Sequence, residues 1–507
     1  KNGKVSRNNV ISVSEIVFSS DTTLKPLQRY MRMPNIFEFI DEEEAVPQIA
    51  FDQNDFNVPN RPLTSQEVKQ CRFNQMIVTF GLIEEALDIN RAEQTINQIH
   101  KIYPILDNSI VFDESIRWLR YQPNEHVPTH ITLADKVTDL SQLTDYFTKF
   151  ESFSSSNRLT NWLLVGASIP DLPAVTTILI SYVPHAFMGG LSCNLLFKLF
   201  NQIYGDKSFD FSAQPSQTQK SFFRSVFAFN QPKGQTSHVA PAVKLQLKTT
   251  NATSDGVHDQ NKFPNIPSVV NLVQPSRFSK IPGATFTQTF NAVLLAQYAA
   301  YLFFHQDLQR EERFLLTYTD IRDISSFLYK YGCVPGLDFS RHLGMSAAVL
   351  AFAVHGTAET SVQQLVEQIQ ASYAKFEATS VQEKWDRYVA YEYSAISKNY
   401  PAAPVNLNVS NVGVNQLGSG PVVQVFNHGT CSYVEGAPQF IMIWPCINTG
   451  KYGTVVSMLR TPEFSDSQQK QTFEISMHIH RLIKERGAQN VRVSDIVSVY
   501  ENEFNRM

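Results

Sequence analysis

Cysteine is scarce. The 507 residues hold five, Cys71, Cys193, Cys333, Cys431 and Cys446, an odd number with no Cys-x-x-Cys pair. That excludes a disulfide framework and a cysteine-based zinc site, and it fits a reducing compartment. Charge of one sign is also missing. Forty-three Lys and Arg stand against 47 Asp and Glu, a net charge of −4, so there is no basic surplus to recruit nucleic acid. Long apolar runs are absent too. The most apolar stretch, 292–304, is interrupted by Gln297 and falls short of the ~20 residues a bilayer requires, so no transmembrane segment is expected. The opening residues do not read as a signal peptide, and a cytoplasmic protein is expected. The alternative is peripheral attachment to a membrane or lipid droplet through the amphipathic piece LQRYMRMPNIFEFI, which lacks a strong basic face.

What the chain does have is aromatic bulk, 36 Phe and 19 Tyr, and a length too great for one ordinary core. Two packed halves are expected. Residues 1–60 are polar and acidic around Asp41–Glu44 and read as a surface arm; residues 61–205 read as a first α/β half. Residues 206–267, rich in Ser, Gln, Pro, Lys and Asn, read as a polar crossover, and 268–507 as a second α/β half.

Within the first half, QCRFNQMIVTFGL reads as a strand and DINRAEQTINQIHKIYPIL as a helix capped by Asn90 and ended by Pro104. Strands follow at 162–167 and 176–183. The second is apolar on both faces and is expected at the centre of its sheet. A helix then opens after Gly190 with a stripe of Leu191, Leu195, Leu199 and Ile203. In the second half, TQTFNAVLLAQYAAYLFF reads as a buried helix and FLLTYTDIR and MSAAVLAFAVH as strands. SVQQLVEQIQASYAKFE reads as an amphipathic helix, NLNVSNVGV as a short strand and turn, APQFIMIWP and GTVVSMLR as strands, and the tail from Phe464 to Arg486 as a helix.

SYVPHAFMGGLS, residues 181–192, carries the chemistry. His185 stands directly after an apolar strand and before Gly189 and Gly190. By themselves the residues admit an ordinary loop histidine or a base at the mouth of a strand. Thr289 and Asn291, at the opening of a buried helix, admit capping or ligand contact, and Ser410–Gly413 admits a simple turn.

Taken in order, four segments resemble the fungal alcohol acetyltransferases, members of the coenzyme-A-dependent acyltransferase superfamily with chloramphenicol acetyltransferase and condensation domains. RYMRMPNIFEFIDE resembles the family's amino-terminal arginine-rich segment. SYVPHAFMGGLS resembles its H-x-x-x-D-G loop. TFTQTFNAVLLAQYAAYL with TDIRDIS resembles the helix and Asp-x-Arg turn after the crossover, and NVSNVGV resembles its Ser-Asn-x-Gly segment. The resemblance covers roughly residues 29–507.

The resemblance implies an α/β fold of two chloramphenicol-acetyltransferase-like halves with a tunnel between them. It implies acetyl-coenzyme A as co-substrate, no metal, an alcohol or amine acceptor, and His185 as general base. Gly189, Gly190 and Arg322 would support the loop, and Ser410, Asn411, Gly413, Thr289 and Asn291 would contact substrate or coenzyme A. The oxyanion donor would be Asn411 or a backbone N–H near Gly413. One departure stands out: Gly189 occupies the place of the family's aspartate, whose partner would be Arg322. Arg322 therefore needs another anion, for which Asp320 and Asp323 are at hand. Two functions remain open, a working acyltransferase or a catalytically inactive member that binds a ligand or protein partner. A condensation unit ranks last, because Pro184 replaces the first histidine of that motif.

Overall fold

The computed structural model describes residues 76–113, 118–147, 158–212, 268–324, 347–388, 407–430, 444–459 and 466–504 apart from isolated gaps, together with Leu63, Glu67, Phe327, Leu343 and Gly344. In chain order the elements are β1 (Met76–Ile83), α1 (Ile89–Ile102), β2 (Ser109–Asp113), β3 (Trp118–Gln122), β4 (Leu133–Val137), β5 (Asn161–Ala167), β6 (Thr177–Pro184) and α2 (Gly190–Gly205). They continue as β7 (Ser268–Val273), α3 (Phe286–Phe304), β8 (Phe314–Asp323), β9 (Ala347–Gly356), α4 (Val362–Glu377), β10 (Leu407–Val414), β11 (Val422–Thr430), β12 (Trp444–Gly450), β13 (Gly453–Leu459), α5 (Asp466–Arg486) and α6 (Val493–Phe504).

Two sheets form the frame. The first runs β11-β1-β6-β5-β4 and the second β7-β13-β12-β10-β8-β9. β1 and β6 are buried at every position, as two-sided burial of a central strand requires. One face of the first sheet carries Ile77, Leu179, Val183 and Val425 against α1 and α2. The opposite face carries Val78, Phe80 and Ile180 against a 3-10 turn at Leu140–Tyr146 and against Val270 and Val455 of the second sheet. α3, α4, α5 and α6 share the largest core with β8, β9 and β10.

Polar signals set the helix starts. Thr285 and Gln288 form a reciprocal capping box at α3, and Ser361 and Gln364 form another at α4. α1 is capped by Asp88, which accepts the Arg91 N–H at 3.1 Å, and not by the expected Asn90, which lies inside the helix. α2 also departs from expectation. The buried face is Cys193, Leu196, Phe197, Phe200 and Tyr204 with Ile203, and Leu191 is 47% exposed. The helix is apolar on more than one side, so periodicity does not select the face. The sheet does: a Cβ at Gly81 on β1 would stand 2.4 Å from Phe197, so glycine there is what admits that ring.

β11 lies far along the chain yet pairs antiparallel with β1 along its length, so the first sheet takes an edge strand from within 268–507. The approach to it, from Leu417 to Val422, is fixed by buried Asn201 of α2. Its amide donates to the carbonyls of Leu417 and Val422 (3.4 and 2.8 Å) and its oxygen accepts the Val422 N–H (2.9 Å). Of the expected strands, APQFIMIWP is described only where β12 begins; 437–443 lie outside the described residues. So do the arm 1–60, the amino-terminal motif and the crossover from 213 to 267.

Candidate active site

β6 ends at Pro184, and a turn places His185 before α2. Phe187 and Met188 N–H donate back to the Pro184 carbonyl (2.9 and 3.3 Å), which closes the turn. His185 is half-buried. Its Nδ1 is buried. Burial lowers the ring's pKa, opposed by the backbone of His185 and Met188, and the imidazole is neutral at neutral pH.

The loop is held from a distant part of the chain. Gly344, just before β9, accepts the Gly189 N–H at 3.2 Å and the Ser192 hydroxyl at 2.9 Å, and its own N–H donates to Ser192 Oγ at 3.2 Å. Gly189 has φ −89° and ψ 168°, a backbone that any residue adopts, so the conformation does not demand glycine there. It is the N-cap of α2 and offers no side-chain acceptor to the first turn.

Beneath Gly190 lies a buried polar junction. Thr79 of β1 stands between Ser181 of β6 and Asn427 of β11 in the register of the first sheet. Thr79 Oγ1 donates to Asn427 Oδ1 at 2.6 Å. Asn427 Nδ2 faces Asn194 Oδ1 at 3.0 Å, Asn448 Oδ1 at 3.4 Å and the Gly190 carbonyl at 3.5 Å. One amide thus ties the start of α2 to both sheets. Cys193, on the same side of α2, is buried, and burial pushes its thiol up to about 12; it is no nucleophile at neutral pH.

The Ser410–Gly413 segment meets this loop. β10 pairs Ser410 with Cys446 and Asn411 with Ile447, then skips Val412 and resumes at Gly413 opposite Asn448. This bulge turns Val412 toward α2: its Cγ2 lies 3.5 Å from where a Cβ on Gly190 would be. Gly413 has φ +79°, the left-handed region that glycine enters without cost. Asn411 donates to Thr287 Oγ1 at 2.6 Å and accepts the Gly413 N–H at 2.9 Å. The Gly413 N–H is therefore committed to Asn411 in this structure. Asn411 keeps one amide hydrogen.

On α3, Thr289 is buried within the helix and caps nothing; the cap is Thr285. Asn291 is fully buried, and both its amide oxygen and nitrogen lack a partner. It stands one helical turn past Thr287, on the same face as the residue that meets Asn411.

Arg322 is not part of this assembly. Its guanidinium donates to Asp320 at 3.0 Å and Glu377 at 3.2 Å and lies over the Tyr373 ring at 4.5 Å. Asp320 also accepts the Tyr373 hydroxyl at 2.8 Å. The loop support expected of Arg322 is absent among the described residues, because Asp320 on its own strand and Glu377 on α4 satisfy the charge. Of the two local carboxylates suggested by sequence, Asp320 serves. Sequence reasoning missed Thr287, Ser192, Gly344 and Asn427. Ser192 sits inside the quoted loop motif, but nothing local marks a residue whose partner lies 152 positions away.

No family model matches the chain, and no curated protein matches it. Solved structures do. The first condensation domain of the CDA synthetase is 12% identical with a TM-score of 0.57, over 87% of this chain and 98% of that one. Polyketide synthase associated protein 5 from Mycobacterium tuberculosis is 11% identical with a TM-score of 0.55, over 84% and 98%. The X-domain from teicoplanin biosynthesis is 10% identical with a TM-score of 0.50, over 86% and 96%. The fold is thus that of the condensation domains, and the expectation of an α/β fold in two halves holds. Among the described residues no group of His, Cys, Asp and Glu could hold a metal ion, and no helix is long and apolar enough to cross a membrane.

Proposed function

We propose that the chain is an acyltransferase that moves an acetyl or short acyl group from coenzyme A to an alcohol, or to an amine, with His185 as general base. The observation that carries the reading is the neutral imidazole of His185, held in the turn between the central strand β6 and the start of α2. In the reaction Nε2 takes the hydroxyl proton as the oxygen attacks the thioester carbonyl. The tetrahedral intermediate then collapses, the C–S bond breaks, and the imidazolium returns the proton to the departing thiolate. Asn411, which keeps one amide hydrogen, and the uncapped first turn of α2 are the donors proposed for the developing oxyanion. Ser410, half-buried on β10, is the polar residue open to substrate contact, whereas Thr289 and Asn291 are buried on α3. The alcohol as acceptor rests on the resemblance to the fungal acetyltransferases. A cytoplasmic location fits this chemistry, and cell fractionation tests it.

A second reading has its own support. Gly189 supplies no carboxylate and Arg322 is committed elsewhere, as in a member that has given up catalysis for binding or assembly. Thiol release from acetyl-coenzyme A with a panel of alcohols decides between them. The first reading expects alcohol-dependent release that drops at least ~100-fold in His185→Ala. Because the ring's pKa is lowered, the acid limb of the rate should lie below pH 6.5. No release with any acceptor, and no binding of coenzyme A, gives the second.

A further inference from the structure

We propose that Ser192 is the positioning residue for His185, holding the loop by neutral hydrogen bonds in the role the family gives to the carboxylate–guanidinium pair. The proposal rests on the reading of His185 as the base. Three bonds converge on one residue. Ser192 Oγ donates to the Gly344 carbonyl and accepts the Gly344 N–H, and the same carbonyl accepts the Gly189 N–H. A single hydroxyl used in both directions fixes position and rotation together, as one rung of a strand pair does. The bond at Gly189 falls on the residue where the family's carboxylate would stand.

The clamp is aimed correctly to matter. His185 joins a rigid strand, β6, to the start of α2, so the ring's position depends on where that first turn sits. From below, Asn427 reaches the Gly190 carbonyl and the Asn194 side chain. From the side, Val412 packs against Gly190. Ser192 and Gly189 reach across to Gly344, on the chain before β9, through uncharged groups alone. Arg322 pairs in register with Ala348 at the start of β9 yet sends its hydrogen bonds to Asp320 and Glu377. The loop's support is thus independent of the charged cluster nearby.

The test follows the imidazole itself. His185 is titrated by its pH-dependent modification with diethyl pyrocarbonate, read by mass spectrometry of the peptide that contains it, in the wild type, Ser192→Ala and Ser192→Thr. Release of the clamp hydrates the ring, so the midpoint in Ser192→Ala should rise toward the ordinary value near 6.5, and Ser192→Thr, which keeps the hydroxyl, should match the wild type. Where turnover is present, Ser192→Ala should lower kcat about tenfold with KM unchanged. An unmoved midpoint in Ser192→Ala, or a Ser192→Thr that behaves like Ser192→Ala, overturns the proposal. The titration needs no turnover. An inactive wild type would remove the proposed function and leave the midpoints to decide the clamp.

Discussion

The loop at 185–192 and the cluster around Arg322 were expected to hold each other, and they hold themselves by opposite means. The Arg322 cluster is ionic and assembled on neighbouring elements: Asp320 two residues away on the same strand, Glu377 and Tyr373 on the helix packed alongside. The His185 loop is held by neutral groups from distant places in the chain, Gly344 and Asn427. A guanidinium that is only 30% exposed needs a carboxylate wherever one can be had, and the nearest suffices. Hydroxyl and amide bonds gain less each, so they count only where the fold has already brought the partners together. A charge lost at position 189 is therefore survivable at position 322 and leaves the loop a different set of supports.

Asn427→Leu should have the largest effect on stability. It removes the partner that Thr79, Asn194 and Asn448 share in a buried junction, and about 3 kcal/mol should be lost in urea unfolding. A loss under about 1 kcal/mol would mean that the polar junction is not what joins the two sheets. Asp320→Ala should cost about 2 kcal/mol, since the Tyr373 hydroxyl loses its acceptor while Arg322 keeps Glu377 and partial access to water. The His185 midpoint should not move in that variant; if it does, the two regions are coupled after all.

Acid should weaken the fold through buried histidines. Burial lowers the pKa of His185 and takes those of His428 and His480 down to about 3. The unfolded chain binds more protons below pH 6.5, so stability is full above that value and falls as pH drops from 6.5 toward 3. His428 and His480 each contribute about 1.4 kcal/mol per pH unit across that window, and His428→Phe should flatten the slope by that amount. A slope that His428→Phe leaves unchanged would show that this ring is already charged in the folded protein. Gly189→Asp should do least. The position is a buried N-cap with ordinary backbone angles, so the gain from capping α2 and the cost of desolvating the carboxylate oppose each other, and the net change should stay within about 1 kcal/mol. It should not capture Arg322, so Asp320→Ala should cost the same in the wild type and in the Gly189→Asp background. A smaller cost in the double variant would show the new carboxylate replacing Asp320.

Much of the frame was legible because local signals carry it. β6, apolar on both faces apart from Thr177 and Ser181, announced a central strand, and the Ser361 and Thr285 starts agree with the helix readings. β11 was not read as a strand: VVQVFNHGT interleaves polar residues that are buried here, and only its pairing with β1 explains why Gln424, Asn427 and His428 face inward. α6 was missed as well, a short helix whose burial comes from its contact with the larger core.

By itself the sequence determined the two-halved α/β fold, the position of His185 after β6, and the absence of the aspartate at 189, since strand and helix periodicity and residue identity are local properties. Only the tertiary structure decided where Arg322 discharges its hydrogen bonds, that Gly413 is already committed to Asn411, and that Ser192 meets Gly344. The Arg322–Glu377 and Ser192–Gly344 contacts join residues 55 and 152 positions apart, which no local pattern records.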